Sequence, residues 1–200
     1  MNRGTLFIIS GPSGTGKGTV CEELIRRGDV FLSVSSTTRD MRANEVDGMT
    51  YNFTDVDTFK KMIENGDMLE WAQYNGNYYG TPKETVEKML REGRSVILEI
   101  EPQGAFKVRE LMPEAVLIFI IPPSMRILRG RLVSRGRETQ EQIESRLEAA
   151  KWEFMQADRY DYIVENDDLA ECVSEIAGIM DSVTAMRNKV YRLLEEAEEI

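Results

Sequence analysis

No histidine occurs among the 200 residues. That absence removes histidine general bases, histidine zinc ligands and the Ser-His-Asp triad together. Cysteine is nearly absent too. Cys21 and Cys172 stand far apart, form no CxxC pair and lie among apolar residues. Two such thiols indicate a reduced, intracellular chain, and a cytoplasmic one is expected. Long apolar runs are missing. The longest, Ala115 to Ile121, has seven residues, against the roughly 20 a membrane helix needs. The apolar stretch Leu6–Ile9 runs straight into a glycine loop, unlike a signal peptide. Positive charge is scarce: 25 Lys and Arg face 35 Asp and Glu, for a net charge of −10. That balance excludes a generally basic nucleic-acid coat and favours solubility. There is no repeat and no low-complexity segment, and the acidic end Glu195–Glu199 reads as a solvated helix face.

What is present suits one folded domain. The chain is 42% hydrophobic, and a domain of this length buries roughly 70% of the surface its unfolded form exposes. Thr5–Ser10 reads as a buried strand, Thr19–Arg27 as a helix and Val30–Ser36 as a second strand. Between 36 and 81 short alternating pieces (Thr50–Thr54, Leu69–Tyr74, Tyr78–Tyr79) surround one helix, Asp55–Asn65. Asn75-Gly76 is a hairpin signal between two of them, so this segment reads as a small antiparallel insertion. Helices and strands then alternate. Pro82–Arg91, Gln103–Leu111, Met125–Ser134 and Gln140–Ala157 read as helices; Ser95–Ile100, Val116–Ile121 and Tyr160–Val164 read as strands. Continuous apolar strands separated by helices indicate an α/β fold with a parallel sheet covered on both faces. Ile176, Ile179, Val183, Met186, Val190 and Leu193 form a helical stripe expected to pack on that core, with a dimer seam as the alternative.

Gly11-Pro12-Ser13-Gly14-Thr15-Gly16-Lys17 matches G-x-x-x-x-G-K between a strand and a helix, the context of a phosphate-binding P-loop. Small residues let backbone N–H groups curl around a phosphate. The helix N-terminus adds partial positive charge, and Lys17 reaches the β/γ oxygens. Gly18 stands where a magnesium-binding hydroxyl is usual, with Thr19 next, a form similar to that of nucleoside monophosphate kinases. Magnesium is then expected to be held mainly by phosphates and water, with Thr19 or Glu101 as protein candidates.

Three further groups carry charge in telling places. Arg39 and Arg42 lie three apart beside a hydroxyl run, which favours an anion site over a solvated loop. Glu99 and Glu101 share a face at the carboxyl end of a buried strand, where α/β ligands bind; an ion pair with Lys17 or an arginine is the alternative. Arg126, Arg129, Arg131, Arg135 and Arg137 crowd one short segment, with Gly136 breaking its helix and Thr139/Gln142 capping the next, which carries Arg146. Arg126 and Arg129 read as solvated. Thr81-Pro82-Lys83-Glu84 fits a capping box with Pro at N1.

The run Ser33-Val34-Ser35-Ser36-Thr37-Thr38-Arg39-Asp40-Met41-Arg42, then Glu45, Asp47-Gly48, Tyr51, Phe53, Leu69-Glu70 and Asn77-Tyr78-Tyr79-Gly80-Thr81, resembles the guanylate kinase family. With the glycine loop, Glu99-Ile100-Glu101-Pro102-Gln103-Gly104 and the arginine cluster, the resemblance covers about residues 4–185. Asn44 replaces the family's usual Gly, Met41 a common Pro, and Glu99 and Glu101 stand where Asp is frequent.

The resemblance implies a P-loop core (1–35, 82–125 and 147–200), a GMP-binding insertion (36–81) and a helical lid (126–146). It implies ATP + GMP to ADP + GDP with Mg²⁺, with ATP, GMP and dGMP as partners, no nucleic acid or membrane, and a monomer or homodimer. Gly11, Pro12, Ser13, Gly14, Thr15, Gly16, Lys17, Gly18, Thr19 and Asn166 would hold ATP. Arg39, Arg42, Tyr51 and Tyr79 would hold the GMP phosphate, assisted by Glu45. Glu70 would read guanine, Ser35 and Thr81 would contact its O6 edge, and Glu99 and Glu101 would meet ribose or magnesium. Lys17, Arg131, Arg135 and Arg146 would act on the transferring phosphoryl, with Arg137 beside them. A non-catalytic interaction domain of the same fold, or a kinase for another phosphorylated sugar or nucleotide, is the alternative.

Overall fold

In a computed structural model the described residues are 3–198 without 29, 75, 135, 137 and 138, and at 195 and 198 the backbone alone. Along the chain, β1 (Leu6–Ser10), α1 (Lys17–Arg26) and β2 (Val30–Leu32) precede β3 (Ser36–Thr37), β4 (Asn52–Phe53), α2 (Val56–Glu64), β5 (Met68–Tyr74) and β6 (Asn77–Pro82). Then follow α3 (Lys83–Arg91), β7 (Ser95–Glu99), α4 (Pro102–Leu111), β8 (Val116–Ile121), α5 (Met125–Ser134), α6 (Gln140–Phe154), β9 (Tyr162–Glu165) and α7 (Leu169–Glu198).

Five strands form one parallel sheet in the order β2-β7-β1-β8-β9. Alternation along β1 feeds two cores. Phe7 and Ile9 pack with Val20, Leu24, Ile97, Ile118 and Ile176 on one face. Leu6 and Ile8 pack with Val86, Leu98, Ala105, Leu117 and Phe119 on the other. Each such side chain contributes about 1.5–3 kcal/mol by leaving water, and burial on both faces explains why these strands read as continuous apolar runs. Cys21 and Cys172 are free thiols in the first core. β1 is central, with β7 and β8 on its two sides, so the loop after it opens where chain connections diverge, the usual ligand crevice of such sheets.

The second sheet runs β4-β3-β6-β5. Its β3–β6 and β5–β6 pairs are antiparallel, and the two-residue β3–β4 pair is parallel. Gly76 turns the β5–β6 hairpin at φ +80°; its partner in the turn, Asn75, lies outside the described residues. The expected single strand Val30–Ser36 is split. Ser33 N–H still reaches Ile97 O at 3.0 Å, but Asn52 N–H already bonds Ser35 O at 2.9 Å. The chain passes from one sheet to the other within these residues, which a run of small hydroxyl residues does not announce.

Helix ends follow local chemistry where the end is exposed. Asp55 caps α2 by accepting from Thr58 N–H at 2.8 Å, and Thr139 with Gln142 forms the expected capping box on α6. The expected box at Thr81–Glu84 does not form. Pro82 is itself the N-cap of α3, without a side-chain cap, and buried Thr81 donates its hydroxyl to Glu70 Oε1 at 2.7 Å instead. A sealed carboxylate takes the stronger, charge-assisted bond. The α7 stripe packs only in its first half. Ile176 is fully buried, whereas Met186 and Leu193 are each 64% exposed. In the acidic end Glu196 is exposed; the side chains of Glu195 and Glu198, and Glu199, lie outside the described residues.

Candidate active site

The glycine loop lies at the carboxyl end of β1. Gly16 caps α1 at φ +92°, and no side chain caps that helix, which leaves its N-terminal N–H groups for an anion. A β-carbon on Gly16 would stand 2.5 Å from Asn166 Nδ2, so only glycine fits. Asn166 Nδ2–H donates to Thr15 O at 2.7 Å, while Asn166 N–H bonds Ile121 O at 2.8 Å. The end of β9 thus clamps the loop. Arg131 of α5 donates to Asn166 O at 2.8 Å, and Arg146 of α6 donates to Ser13 Oγ. Pro12 O accepts from Thr15 N–H and Oγ1–H, closing the loop on itself.

Lys17 Nζ donates to Gly11 O and, at 3.2 Å, to Pro12 O. Burial lowers its pKa, and the nearby carboxylates Glu99, Glu153 and Glu101 oppose that shift. Glu99 ends β7, its carboxylate 3.7 Å from where a Gly18 β-carbon would be. The residue is exposed, yet burial around its carboxyl raises its pKa, which Lys17 opposes. Its alternative as a direct ion pair with Lys17 is not formed: the lysine is spent on backbone carbonyls. Glu101 is exposed at the N-cap of α4, and Thr19 is exposed in the first turn of α1.

The insertion gathers a second group. Arg39 forks onto Glu45, with Nη1 to Oε2 at 2.9 Å and Nη2 to Oε1 at 2.7 Å. Arg42 gives Glu45 its backbone N–H at 2.8 Å and leaves its guanidinium exposed. The Arg39 fork, with that N–H, holds Glu45 below the usual carboxylate range. The Arg39 guanidinium also sits 5.6 Å from the Tyr51 ring, which meets Tyr79 edge-on at 6.1 Å. Glu45 therefore aims the arginine.

Glu70 is sealed between β6 and α4. Thr81 holds Oε1, and a β-carbon on Gly104 would lie 3.0 Å from Oε2. Burial raises its pKa, which the Thr81 bond and Lys107 oppose. Lys107 Nζ donates to Trp71 O at 3.0 Å, tying α4 to β5. Ser35 stands at the seam between the two sheets, its carbonyl already bonded to Asn52.

The structure thus brings Lys17, Arg131, Arg146 and Asn166 to one loop, and Arg39, Glu45, Tyr51 and Tyr79 to one corner. Arg135 and Arg137 lie outside the described residues. Arg129 is exposed, as expected, and makes a surface pair with Glu144 at 2.7 Å. Glu153, half-buried on α6 beside Lys17, carried no sequence signal, because one Glu on a charged helix looks like any solvated residue.

The guanylate kinase family pattern matches residues 3–183. The chain is 49% identical over 195 residues to the guanylate kinase of Clostridium perfringens (strain SM101 / Type A), covering 97% of this chain and 89% of that one. It is 48% identical over 199 residues to that of Halalkalibacterium halodurans, covering 99% and 96%. The crystal structure of guanylate kinase from Anaplasma phagocytophilum superposes with a TM-score of 0.75 at 34% identity, over 91% of this chain and 87% of that one. By sequence pattern, relatives and fold alike, the chain belongs to the guanylate kinase family.

Proposed function

We infer that this protein transfers the γ-phosphoryl of ATP to GMP, giving ADP and GDP. The observation that carries the reading is the convergence of Lys17, Arg146 and the uncapped N-terminus of α1 on one loop at the end of β1. The attacking GMP phosphate oxygen is already anionic, so no general base is needed and the lack of histidine costs nothing. The protein aligns two phosphates and offsets their charge.

In this reading Gly11–Thr19 cradles the ATP phosphates, and Arg131, Arg135 and Arg146 neutralise the moving phosphoryl. Asn166 supports the adenine side while holding the loop. The second sheet is the acceptor unit and 126–146 the lid. Arg39, Arg42, Tyr51 and Tyr79 take the GMP phosphate. The Glu70 carboxylate accepts from guanine N1–H and the 2-amino group, Ser35 and Thr81 border O6, and Glu99 and Glu101 face the ribose. Adenine offers Glu70 neither donor, and such a site rejects the analogue by about 10⁴-fold.

Mg²⁺ fits this donor set. Magnesium sheds its waters reluctantly, so it would be held mainly by the ATP phosphates and water, with Thr19 or Glu101 as the protein candidates. When bound it would offset phosphate charge.

dGMP as a second acceptor, a monomeric or dimeric state and a cytoplasmic location complete the reading. No helix among the described residues is long and apolar enough to cross a membrane. A coupled ADP-release assay across GMP, AMP, CMP, UMP and dGMP tests it. Turnover with GMP and dGMP alone is expected; equal turnover with AMP would overturn the assignment.

A further inference from the structure

Helix α6 faces the phosphate loop with two charges of opposite sign. Arg146 reaches Ser13. Glu153 follows it by seven residues, about two helical turns, and so lies on the same face. Its carboxylate is within electrostatic reach of Lys17 and Glu101. Its Oε2 is closed off from solvent and accepts no hydrogen bond among the described residues. A sealed, unsatisfied carboxylate oxygen is costly, so its persistence calls for an account. Neither the P-loop nor the lid assignment uses it. The charged and titratable groups around it are Lys17 from the loop, Glu101 from the cap of α4 and Tyr160 ahead of β9. Lys17 binds only backbone carbonyls here, so its positive charge meets no carboxylate directly.

We propose that Glu153 is a positioning residue of the donor site: its negative charge, acting through Lys17, loosens the loop's hold on nucleotide phosphates and so lets ADP leave. The physical reason is simple. The loop concentrates positive potential from Lys17, Arg146 and the α1 terminus in a partly dehydrated crevice. Without a counter-charge that potential holds a di- or triphosphate too tightly to turn over. Glu153 supplies the counter-charge on the same rigid helix that carries Arg146. Burial raises its carboxyl to about 7, so the counter-charge is present above that pH and the binding test belongs at pH 8.

The proposal rests on the loop being the donor-phosphate site, and its test separates the two ideas. ADP and adenosine binding are measured by calorimetry at pH 8 on the parent, Glu153→Gln and Glu153→Asp. Thermal melts confirm folding. Removing one counter-charge from a partly screened crevice predicts that Glu153→Gln binds ADP roughly three- to tenfold more tightly. Adenosine affinity stays unchanged, because adenosine carries no phosphate. Glu153→Asp keeps the charge and stays near the parent. Steady-state kinetics then show a lower KM for ATP together with a lower kcat. If the glutamine chain unfolds, Glu153→Ser removes the same charge with less volume. Unchanged or weaker ADP binding would overturn the proposal, as would equal tightening of ADP and adenosine, which would mark a change of shape. A parent that binds ADP and adenosine equally well would instead remove the donor-loop assignment itself.

Discussion

The two halves of the site are assembled in different ways. The acceptor corner is local: Arg39 and Glu45 are six residues apart, Glu70 and Thr81 eleven. The donor loop is held from far along the chain. Ser13 meets Arg146 across 133 residues, and Thr15 meets Asn166 across 151. The charged pairs of the acceptor corner therefore lie within one short stretch of chain, although β5 itself is tied to α4 of the core through Lys107 and Trp71. The donor loop keeps its geometry only while β9, α5 and α6 are docked. Perturbing the acceptor pairs should change base choice with little loss of fold, whereas perturbing the donor clamps should affect nucleotide binding and stability together.

The largest expected effect lies on the donor side. Lys17→Ala should lower kcat by at least about 100-fold, the scale of losing one well-placed charge donor. The fold should persist, since the ammonium bonds only loop carbonyls. Unchanged kcat at saturating ATP would remove the loop from catalysis.

On the acceptor side, Glu70→Gln should lose about 2–4 kcal/mol in kcat/KM for GMP, from a broken charge-assisted bond and two opposed donors. Its stability should barely change, because the amide oxygen can still accept from Thr81 and burial already disfavours the charge. Steady-state kinetics with GMP and AMP, beside a urea melt, check both halves. A kcat/KM for GMP within about threefold of the parent, well short of the tenfold that 1.4 kcal/mol represents, would show that Glu70 does not read guanine.

Asn166→Ala tests the clamp. It orphans the buried Thr15 carbonyl, at a cost of about 1–3 kcal/mol. Urea unfolding should show that loss, and KM for ATP should rise more than KM for GMP. Equal changes in both would erase the contrast between the halves.

The smallest effect is a pH trend. The Glu153 carboxyl rises from the ordinary 4.5 to about 7 through burial. The folded protein then keeps a proton that the unfolded chain gives up. Its stabilising contribution is complete below about 4.5 and is lost as pH climbs through 7. Glu153→Gln carries no such penalty, so its gain in Tm over the parent should be larger at pH 8 than at pH 5. A gain independent of pH would mean that the carboxyl titrates normally.

Much of this was legible in the residues. The P-loop is a contiguous motif between a strand and a helix, and short continuous apolar runs mark the buried strands. Thr139 caps where expected because a cap is decided within one turn. The cap expected at Thr81 failed because a distant partner, Glu70, outbid the local one. Arg39 and Arg42 look alike in sequence, yet only the first is gripped side chain to side chain by Glu45.

What the chain alone determined is therefore what neighbours in sequence can decide: alternation of strands and helices, the contiguous glycine loop, the hairpin turn and the cap at Thr139. Tertiary structure decided the rest. The α7 stripe keeps its period past Met186, but the sheet beneath it ends, so the same pattern is core at Ile176 and surface at Leu193. Asn166, Arg146 and Glu153 come beside the glycine loop only because β9 and α6 dock against a segment more than 130 residues earlier. Periodicity reports which face of an element is apolar. It carries no record of what that face will meet, because contact between distant segments is set by the packing of the whole sheet.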